Sequence, residues 1–313
     1  MKILVTGGAG FIGSNLSHRL TARGHLVKVL DNLSNGSIEN LDTSSVDFFE
    51  GDVLDKGMLE EISSDVDCVV HLAALGSVPR SIVNPESSLD VNFKGTFNVL
   101  EAARKTMAHV IFSSSSSVYG ESKVLPRIEN VAAEPRSPYA VSKLAAESLV
   151  SAYQLSYGIP TLSLRFFNVY GPRQSFGHPY AAAIPIFFES ILRNTPIKVF
   201  GDGNQVRDFT YVDYVTEVIV SAIENRIQNP KPINLGSSKM ISINELISLI
   251  CKVTDSNPVV EYLPERNGDI RNSYANTDLL TQIFPGLSPI SIESGIEKTF
   301  NWYQSNMNSK WSV

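Results

Sequence analysis

Apolar residues in this chain gather in short unbroken blocks, and the segments between the blocks carry helical spacing. The first block, Ile3-Leu4-Val5, runs into Thr6-Gly7-Gly8-Ala9-Gly10, after which apolar positions at Phe11, Leu16 and Leu20 open a helix. Leu26 to Leu30 forms a second block and the stretch from Val46 to Gly51 a third; a helix from about Lys56 leads to a fourth, Cys68 to Leu72. A long helical stretch follows Pro85 and precedes Val110-Ile111-Phe112. Blocks this short, without polar alternation and separated by helices, predict a parallel sheet covered on both faces, with ligands beyond the strand C-terminal ends. From about residue 172 the rhythm weakens, interrupted by Pro172, Pro179, Pro185 and Pro196. The predicted division is therefore residues 1–171 as the sheet domain, with a strand and helix returning from about 205–236, and 172–313 as a smaller mixed α/β part. Within the latter, Ser242-Ile243-Asn244-Glu245 reads as a capping box, and a last amphipathic helix runs from about Ile292 to Tyr303.

The glycine cluster after the first block gives this frame a ligand. Gly8, Gly10 and Gly13 fit the dinucleotide fingerprint, and Gly7, Gly10 and Gly13 fit a more evenly spaced variant of it. Such glycines permit a tight turn, a close approach of backbone to a pyrophosphate, and tight packing of helix on strand, so that free N–H groups at the helix start face the anion. A strand before and a helix after the motif is the context it requires. Asp31 ends the second block, where a carboxylate accepts the adenosine ribose hydroxyls and repels the extra phosphate of NADP. The fold class expected is thus a Rossmann-type doubly wound α/β sheet, and the cofactor expected is NAD.

Composition narrows the class further. With 313 residues and 43% hydrophobic content the chain can fill a substantial core. A net charge of −6 argues against a general binder of nucleic acid or anionic membrane. Cys68 and Cys251 lie in apolar surroundings without metal-ligand spacing, so reduced core cysteines and no metal are expected. The first strand starts at Lys2 and no apolar run approaches membrane-spanning length, which gives an expectation of a cytoplasmic protein.

Candidate chemistry follows the fifth block. Tyr139 and Lys143 are one helical turn apart after the helix-starting Ser137-Pro138, and the serine run Ser113 to Ser117 lies at the end of the preceding strand. Positive charge from Lys143 and from an oxidised nicotinamide would lower the phenol toward working pH, making Tyr139 a general base. Taken alone, a Tyr and a Lys at this spacing more often form a surface pair. Behind a dinucleotide turn and beside a serine cluster they form a catalytic constellation.

These motifs together resemble the extended short-chain dehydrogenase/reductase family, and within it the nucleotide-sugar epimerases. The resemblance is carried by Thr6 to Gly13, His71-Leu72-Ala73-Ala74, Val91-Asn92, Ser113 to Gly120, Tyr139 with Lys143, Arg165 to Gly171 and Arg207 to Asp213. It implies Ser115, Tyr139 and Lys143 as catalytic residues. Cofactor contacts would come from Gly7, Gly10, Phe11, Ile12 and Gly13, from Asp31, Asn32, Asp52 and Val53, and from Leu72, Ala73, Ala74 and Asn92, with Tyr139 and Lys143 at the nicotinamide end. For Asp52 the plainer alternative is a cap on the next helix. On the substrate side the resemblance implies Arg207 and Arg266 on the nucleotide diphosphate, Asn168 on a phosphate and Phe200 on the uracil, with Arg271 close enough to replace Arg266.

Reaction and sugar are also implied by the resemblance. Dehydratases of the family resemble Asp-Glu where this chain has Ser116-Ser117, so elimination of water is disfavoured and reversible oxidation at one carbon is favoured. Ser273 falls where relatives restricted to glucose and galactose resemble a bulky tyrosine, which leaves room here for a 2-acetamido group. The run Ala73 to Ile82 and the run Tyr180 to Pro185 are similar to UDP-N-acetylglucosamine 4-epimerases. The expected activity is therefore inversion at C4 of UDP-GlcNAc and UDP-GalNAc through a 4-keto intermediate. Alternatives are a UDP-glucose/UDP-galactose 4-epimerase, a UDP-hexuronate 4-epimerase with Arg80 or Arg173 facing the acid, a net dehydrogenase, and a non-catalytic NAD-binding regulator. A homodimer through the helices beginning near Asn92 and Tyr139 is expected from the family.

Overall fold

Seven parallel strands form the central sheet of the computed structural model, which describes residues 1–175, 182–265 and 270–310. They are β1 (Lys2–Thr6), β2 (Leu26–Asp31), β3 (Asp47–Glu50), β4 (Cys68–His71), β5 (His109–Ser115), β6 (Thr161–Phe166) and a returning strand, Asn229–Leu235. Their spatial order is the returning strand, then β6, β5, β4, β1, β2 and β3. The order reverses between β1 and β4, and at such a switch point the loops after neighbouring strands diverge and leave a crevice.

The inner strands bury both faces, as their unbroken apolar runs predict. Ile3 and Val5 face one core with Leu16, Leu20, Val215 and Ile219, whereas Leu4 faces the other with Val99, Leu100, Ala146 and Val150. The first core is covered by the Phe11–Ala22 and Val212–Glu224 helices, and the second by the Gly95–Thr106 and Pro138–Tyr157 helices. The Pro138–Tyr157 helix is sharply delimited: Ser137 Oγ accepts from Ala140 N at 3.2 Å, Pro138 occupies the first position, and Gly158 ends it in the left-handed conformation at φ 72°.

Three elements differ from the sequence expectation. Strand β5 continues past Phe112 through Ser115, because Ser113 Oγ donates to the His71 carbonyl at 3.0 Å and Ser114 Oγ to Glu147 at 2.5 Å, so the buried hydroxyls are satisfied. The stretch after Pro85 breaks into Pro85–Leu89, one π turn at Asp90–Lys94, and Gly95–Thr106. A Cβ at Gly95 would meet Val53 Cγ2 at 2.7 Å, so the wide turn brings bare backbone against the loop after β3. The last helix spans Ile292–Lys310 and so passes beyond Tyr303.

The second part builds its own core from Phe187, Phe188, Ile197, Val199, Leu246, Ile250, Ile296 and Tyr303. Its strands are short: Ile197–Phe200 pairs with Val260–Leu263, and Val206–Arg207 lies between Ile241–Ser242 and Asn272–Ser273. The Ser242–Glu245 capping box is formed in both directions. Among the described residues no helix is long and apolar enough to cross a membrane, and no cluster of His, Cys, Asp or Glu could hold a metal ion.

Candidate active site

At the switch point the glycines leave no space for side chains. Gly7 takes φ +70°, and a Cβ there would lie 2.7 Å from Ala73 N and 2.8 Å from Ala73 Cα. A Cβ on Gly13 would lie 2.2 Å from the Gly7 carbonyl oxygen and 2.6 Å from Gly8 Cα, all backbone atoms that cannot swing aside. The helix that begins at Phe11 has no side-chain cap and no acid in its first turn, so its leading N–H groups are left for an anion. Asp31 stands beside this turn, 8% exposed, accepting from Ala9 N at 3.0 Å and Leu33 N at 2.8 Å. Burial pushes its carboxyl above the ordinary value, against the pull of these backbone donors. Asn32 donates to Asp52 at 2.8 Å, and Asp52 in turn accepts from Leu54 N at 2.9 Å, so Asp52 holds its own loop while the helix that follows is capped by Asp55. The residues fit a dinucleotide: a bare backbone cradle for the pyrophosphate, a carboxylate at the far strand, and the Ala73–Ala74 strand end opposite.

Asn92, on the π turn, fastens that strand end. Its Oδ1 accepts from Leu75 N at 2.8 Å and its Nδ2 donates to Ser142 Oγ at 3.0 Å, on the helix of Tyr139. Beneath it, Thr96 Oγ1 donates to the Asn92 carbonyl at 2.6 Å, which leaves the Thr96 hydroxyl oxygen to accept from His71 Nε2 at 3.0 Å; His71 Nδ1 then accepts from Thr6 Oγ1 at 2.7 Å. The network fixes one neutral tautomer, and burial pushes the His71 imidazole down to about 3.

Strand β5 and the Pro138–Tyr157 helix bring Ser115, Tyr139 and Lys143 to the same mouth. The Ser115 hydroxyl stands beside the Tyr139 phenol and pulls it downward, and Ser117 Oγ donates to Ser115 Oγ at 2.9 Å, which leaves the Ser115 proton free to point at the phenol oxygen. Part of the Tyr139 residue faces the cleft, yet burial raises its phenol above the ordinary value and outweighs the opposing Ser115 bond. The lowered phenol expected from sequence is thus not produced by the chain's own groups. Lys143 Nζ turns instead to the Ser113 carbonyl at 2.8 Å and lies 5.0 Å from the Phe112 ring centroid.

Burial pushes Lys143 down to about 7 from 10.5. Between these values the unfolded chain holds the proton and the folded chain does not, so this residue makes stability rise with pH across that window. In urea unfolding of the cofactor-free protein, wild type gains stability relative to Lys143→Met as pH rises from about 7 to about 9. Parallel pH profiles would contradict the assignment.

On the sugar side, Asp208 joins the predicted residues. Its N–H donates to the Ser273 carbonyl at 3.1 Å, its carbonyl accepts from Asn168 Nδ2 at 3.0 Å, and Arg207 pairs in register with Ser273 on the neighbouring strand. Phe200 enters through Gln205, whose Nε2 donates to the Phe200 carbonyl at 2.8 Å. Asn168, Arg207 and Ser273 are therefore brought together, and Phe200 is tied to the start of the same segment through its carbonyl. Arg266 lies outside the described residues, as does Tyr180. Arg271 is exposed and pairs with Asp202 at 3.1 Å. Arg80 donates to Asn35 at 3.0 Å and Arg173 to Asn15 at 3.1 Å, both on the dinucleotide side of the molecule.

Sequence reading missed two buried polar groups that shape the site, Glu147 and Asp208. Glu147, two turns beyond Tyr139 on the same helix, pairs with Arg165 at 2.6 Å and accepts from Ser114, next to Ser115. A lone acid among the apolar residues of a buried helix was the available signal for Glu147. Asp208 has no such local signal. Its carboxylate, fully buried, accepts from Ser237 N, Ser237 Oγ, Ser238 N and Ala275 N at 2.8, 2.6, 3.0 and 3.2 Å, contacts made by chain far away in sequence.

Comparison with known proteins agrees with this geometry. The profile described as the NAD dependent epimerase/dehydratase family matches residues 3–236. A putative UDP-glucose 4-epimerase of Methanocaldococcus jannaschii is 37% identical, covering 97% of this chain and 99% of that protein. A structure of UDP-N-acetylglucosamine 4-epimerase from Methanobrevibacter ruminantium, in complex with UDP-N-acetylmuramic acid, superposes with a TM-score of 0.93 at 38% identity, covering 98% of this chain and 99% of that one. UDP-glucuronic acid 4-epimerase from Bacillus cereus, solved with UDP-glucuronic acid and NAD, gives 0.90 at 31% identity, covering 97% and 99%. A dinucleotide turn with an acid at the second strand end, a serine–tyrosine–lysine mouth, and similarity along nearly the whole length lead to one conclusion: the chain is an enzyme of the NAD-dependent epimerase/dehydratase family, within the extended short-chain dehydrogenases/reductases.

Proposed function

We propose that the protein interconverts UDP-GlcNAc and UDP-GalNAc by inversion at C4. The glycine turn, Asp31 and the Ala73–Ala74 strand end would hold NAD, which would supply a reversible hydride acceptor at the sugar C4. Tyr139, as phenolate, takes the proton of the sugar 4-hydroxyl, and Ser115 hydrogen-bonds to the same oxygen as it becomes a ketone. Arg207, with Arg266 proposed as a second cation, keeps the UDP part clamped while the keto sugar turns about its phosphate linkage and presents its other face. Tyr139 then returns the proton to the inverted alcohol. Affinity in the nucleotide and a permissive hexose pocket are what this requires. On this reading residues 172–313 mainly hold the sugar nucleotide. Exposed Leu89, Phe93, Phe97 and Val141, on the helices around Asn92 and Tyr139, support a proposed homodimer.

Hydroxyl side chains at Ser116 and Ser117 support epimerisation over elimination of water, since neither supplies the acid and base that loss of water needs. The observation that carries the N-acetyl reading is Ser273, a small buried residue in register with Arg207. Ser273→Tyr fills the space beside the sugar. The expected result is a fall of about 10- to 200-fold in kcat/KM for UDP-GlcNAc with UDP-glucose turnover retained. Equal effects on both sugars would remove Ser273 from the specificity argument.

A further inference from the structure

Arg127 is 2% exposed, and its guanidinium is satisfied by main-chain carbonyls in place of a carboxylate. Nη1 donates to the Ser122 carbonyl and to that of Val124 at 3.2 Å, and Nη2 donates to the Gly120 carbonyl at 3.1 Å, while the buried Nε has no hydrogen-bond partner among the described residues. Burying a cation without a hydrogen-bonded carboxylate is unfavourable, and here burial pushes the guanidinium below its ordinary value against the opposing pull of Tyr119, Glu134 and Tyr274. An unfavourable group at the centre of a fold calls for an explanation in what it holds together.

Its two ends reach the two halves of the reaction site. Gly120 closes the short 3-10 turn Ser116–Tyr119, whose N-terminal cap is Ser115, so the grip of Nη2 fixes the far end of the serine turn. That end is confined from the other side as well, since Gly120 sits at φ +52° with its Cα close against the Glu134 carbonyl. The Arg127 main chain pairs with the segment after Ser273: Arg127 N donates to the Tyr274 carbonyl at 2.9 Å, and Asn276 N to the Arg127 carbonyl at 2.8 Å. Between these two residues, Ala275 N donates to the Asp208 carboxylate, the group whose backbone holds Ser273 and Asn168. A third tie runs through Asn234, which donates to the Arg127 carbonyl at 2.9 Å and accepts from Tyr119 OH at 2.6 Å. One residue thus bonds by side chain to the catalytic turn and by main chain to the sugar-side strand.

We infer that Arg127 is a positioning residue that holds the Ser115 turn and the Ser273 strand in one fixed register across the cleft. It touches neither substrate nor cofactor, and it acts through Ser115. The inference rests on the proposed role of Ser115 in proton transfer. Loss of this register leaves the UDP clamp intact, because Arg207 stays paired with the Ser273 strand and moves with it, but it lets the serine drift from the phenol oxygen.

The test is a double-mutant cycle between Arg127→Lys and Ser115→Ala, with turnover measured on UDP-GlcNAc and on UDP-glucose, and UDP affinity measured separately. Lysine keeps the buried cation but cannot present the planar fork that spans three carbonyls. Arg127→Lys lowers kcat on the order of tenfold, with UDP affinity unchanged, since small misplacements of a catalytic group carry costs of this size. In the Ser115→Ala background the same substitution has no further effect. The rising limb of the kcat–pH profile moves to higher pH in both single variants, because Ser115 is the group that lowers the Tyr139 phenol. Additive losses, or a limb that stays in place, overturn the inference alone. If Ser115→Ala is as active as wild type, the role of Ser115 falls and this inference with it. Should Arg127→Lys not fold, Arg127→Met, which keeps the volume and removes the charge, is taken through the same cycle with the same readings.

Discussion

Tyr139→Phe is expected to reduce kcat by about 10²- to 10⁴-fold, the range associated with loss of a positioned general base. The ring keeps its place, because the Pro138–Tyr157 helix is fixed by the Ser137 cap and by the Asn92–Ser142 bond at 3.0 Å. Lys143 keeps its bond to the Ser113 carbonyl, which does not involve the phenol. What disappears is the oxygen beside Ser115 that is proposed to exchange a proton with the sugar 4-hydroxyl. UDP affinity and bound NAD content should therefore match wild type, and the loss should lie in kcat. Single-turnover kinetics with UDP-GlcNAc and a UDP binding isotherm check this. A variant turning over within a factor of a few of wild type would show that another group moves the proton.

Gly13→Ala is the second large effect, and it acts on the cofactor cradle. The added carbon would lie 2.2 Å from the Gly7 carbonyl oxygen and 2.6 Å from Gly8 Cα, so the helix start must move off the turn. Overpacking of this kind costs about 1–3 kcal/mol of stability, and here the displaced atoms are the ones that would face the pyrophosphate. Gly24→Ala is the control: Gly24 sits at φ +79° with nothing within 4 Å of an added carbon, so it meets backbone strain without a clash. Strain of that kind costs about 1–2 kcal/mol. Both variants should melt earlier than wild type, but only Gly13→Ala should purify without NAD and fail to regain activity when NAD is added. Equal NAD content in the two would detach the glycine turn from cofactor binding.

Much of the cofactor half was legible because its signals are local. A strand, three glycines at fixed spacing and an acid at the next strand end lie within the first 31 residues, and the alternation of apolar blocks and helical spacing gave the sheet its class. Tyr139 and Lys143 were legible for the same reason, being one turn apart on one helix. The chemistry of their surroundings was not. Burial sets Lys143 near 7 and raises Tyr139, and burial depends on how β5 packs under the helix, not on neighbours in sequence. The break at Asp90–Lys94 answers to the close approach of Gly95 and Val53, which no helical periodicity reveals. The sugar half was read through resemblance, and the residues that organise it, Asp208, Asn234 and Arg127, make contacts across long stretches of chain.

The central claim, oxidation and return of one hydride at C4, is tested most directly by incubating the purified protein with UDP-GlcNAc in heavy water without added NAD and following the sugar signals by proton NMR. The account predicts UDP-GalNAc appearing with its C4 proton retained and no deuterium at C4 or C5, because the hydride never leaves the bound cofactor. Deuterium at either carbon, or conversion of UDP-GlcNAc only when a soluble cofactor is consumed in step with it, would contradict it.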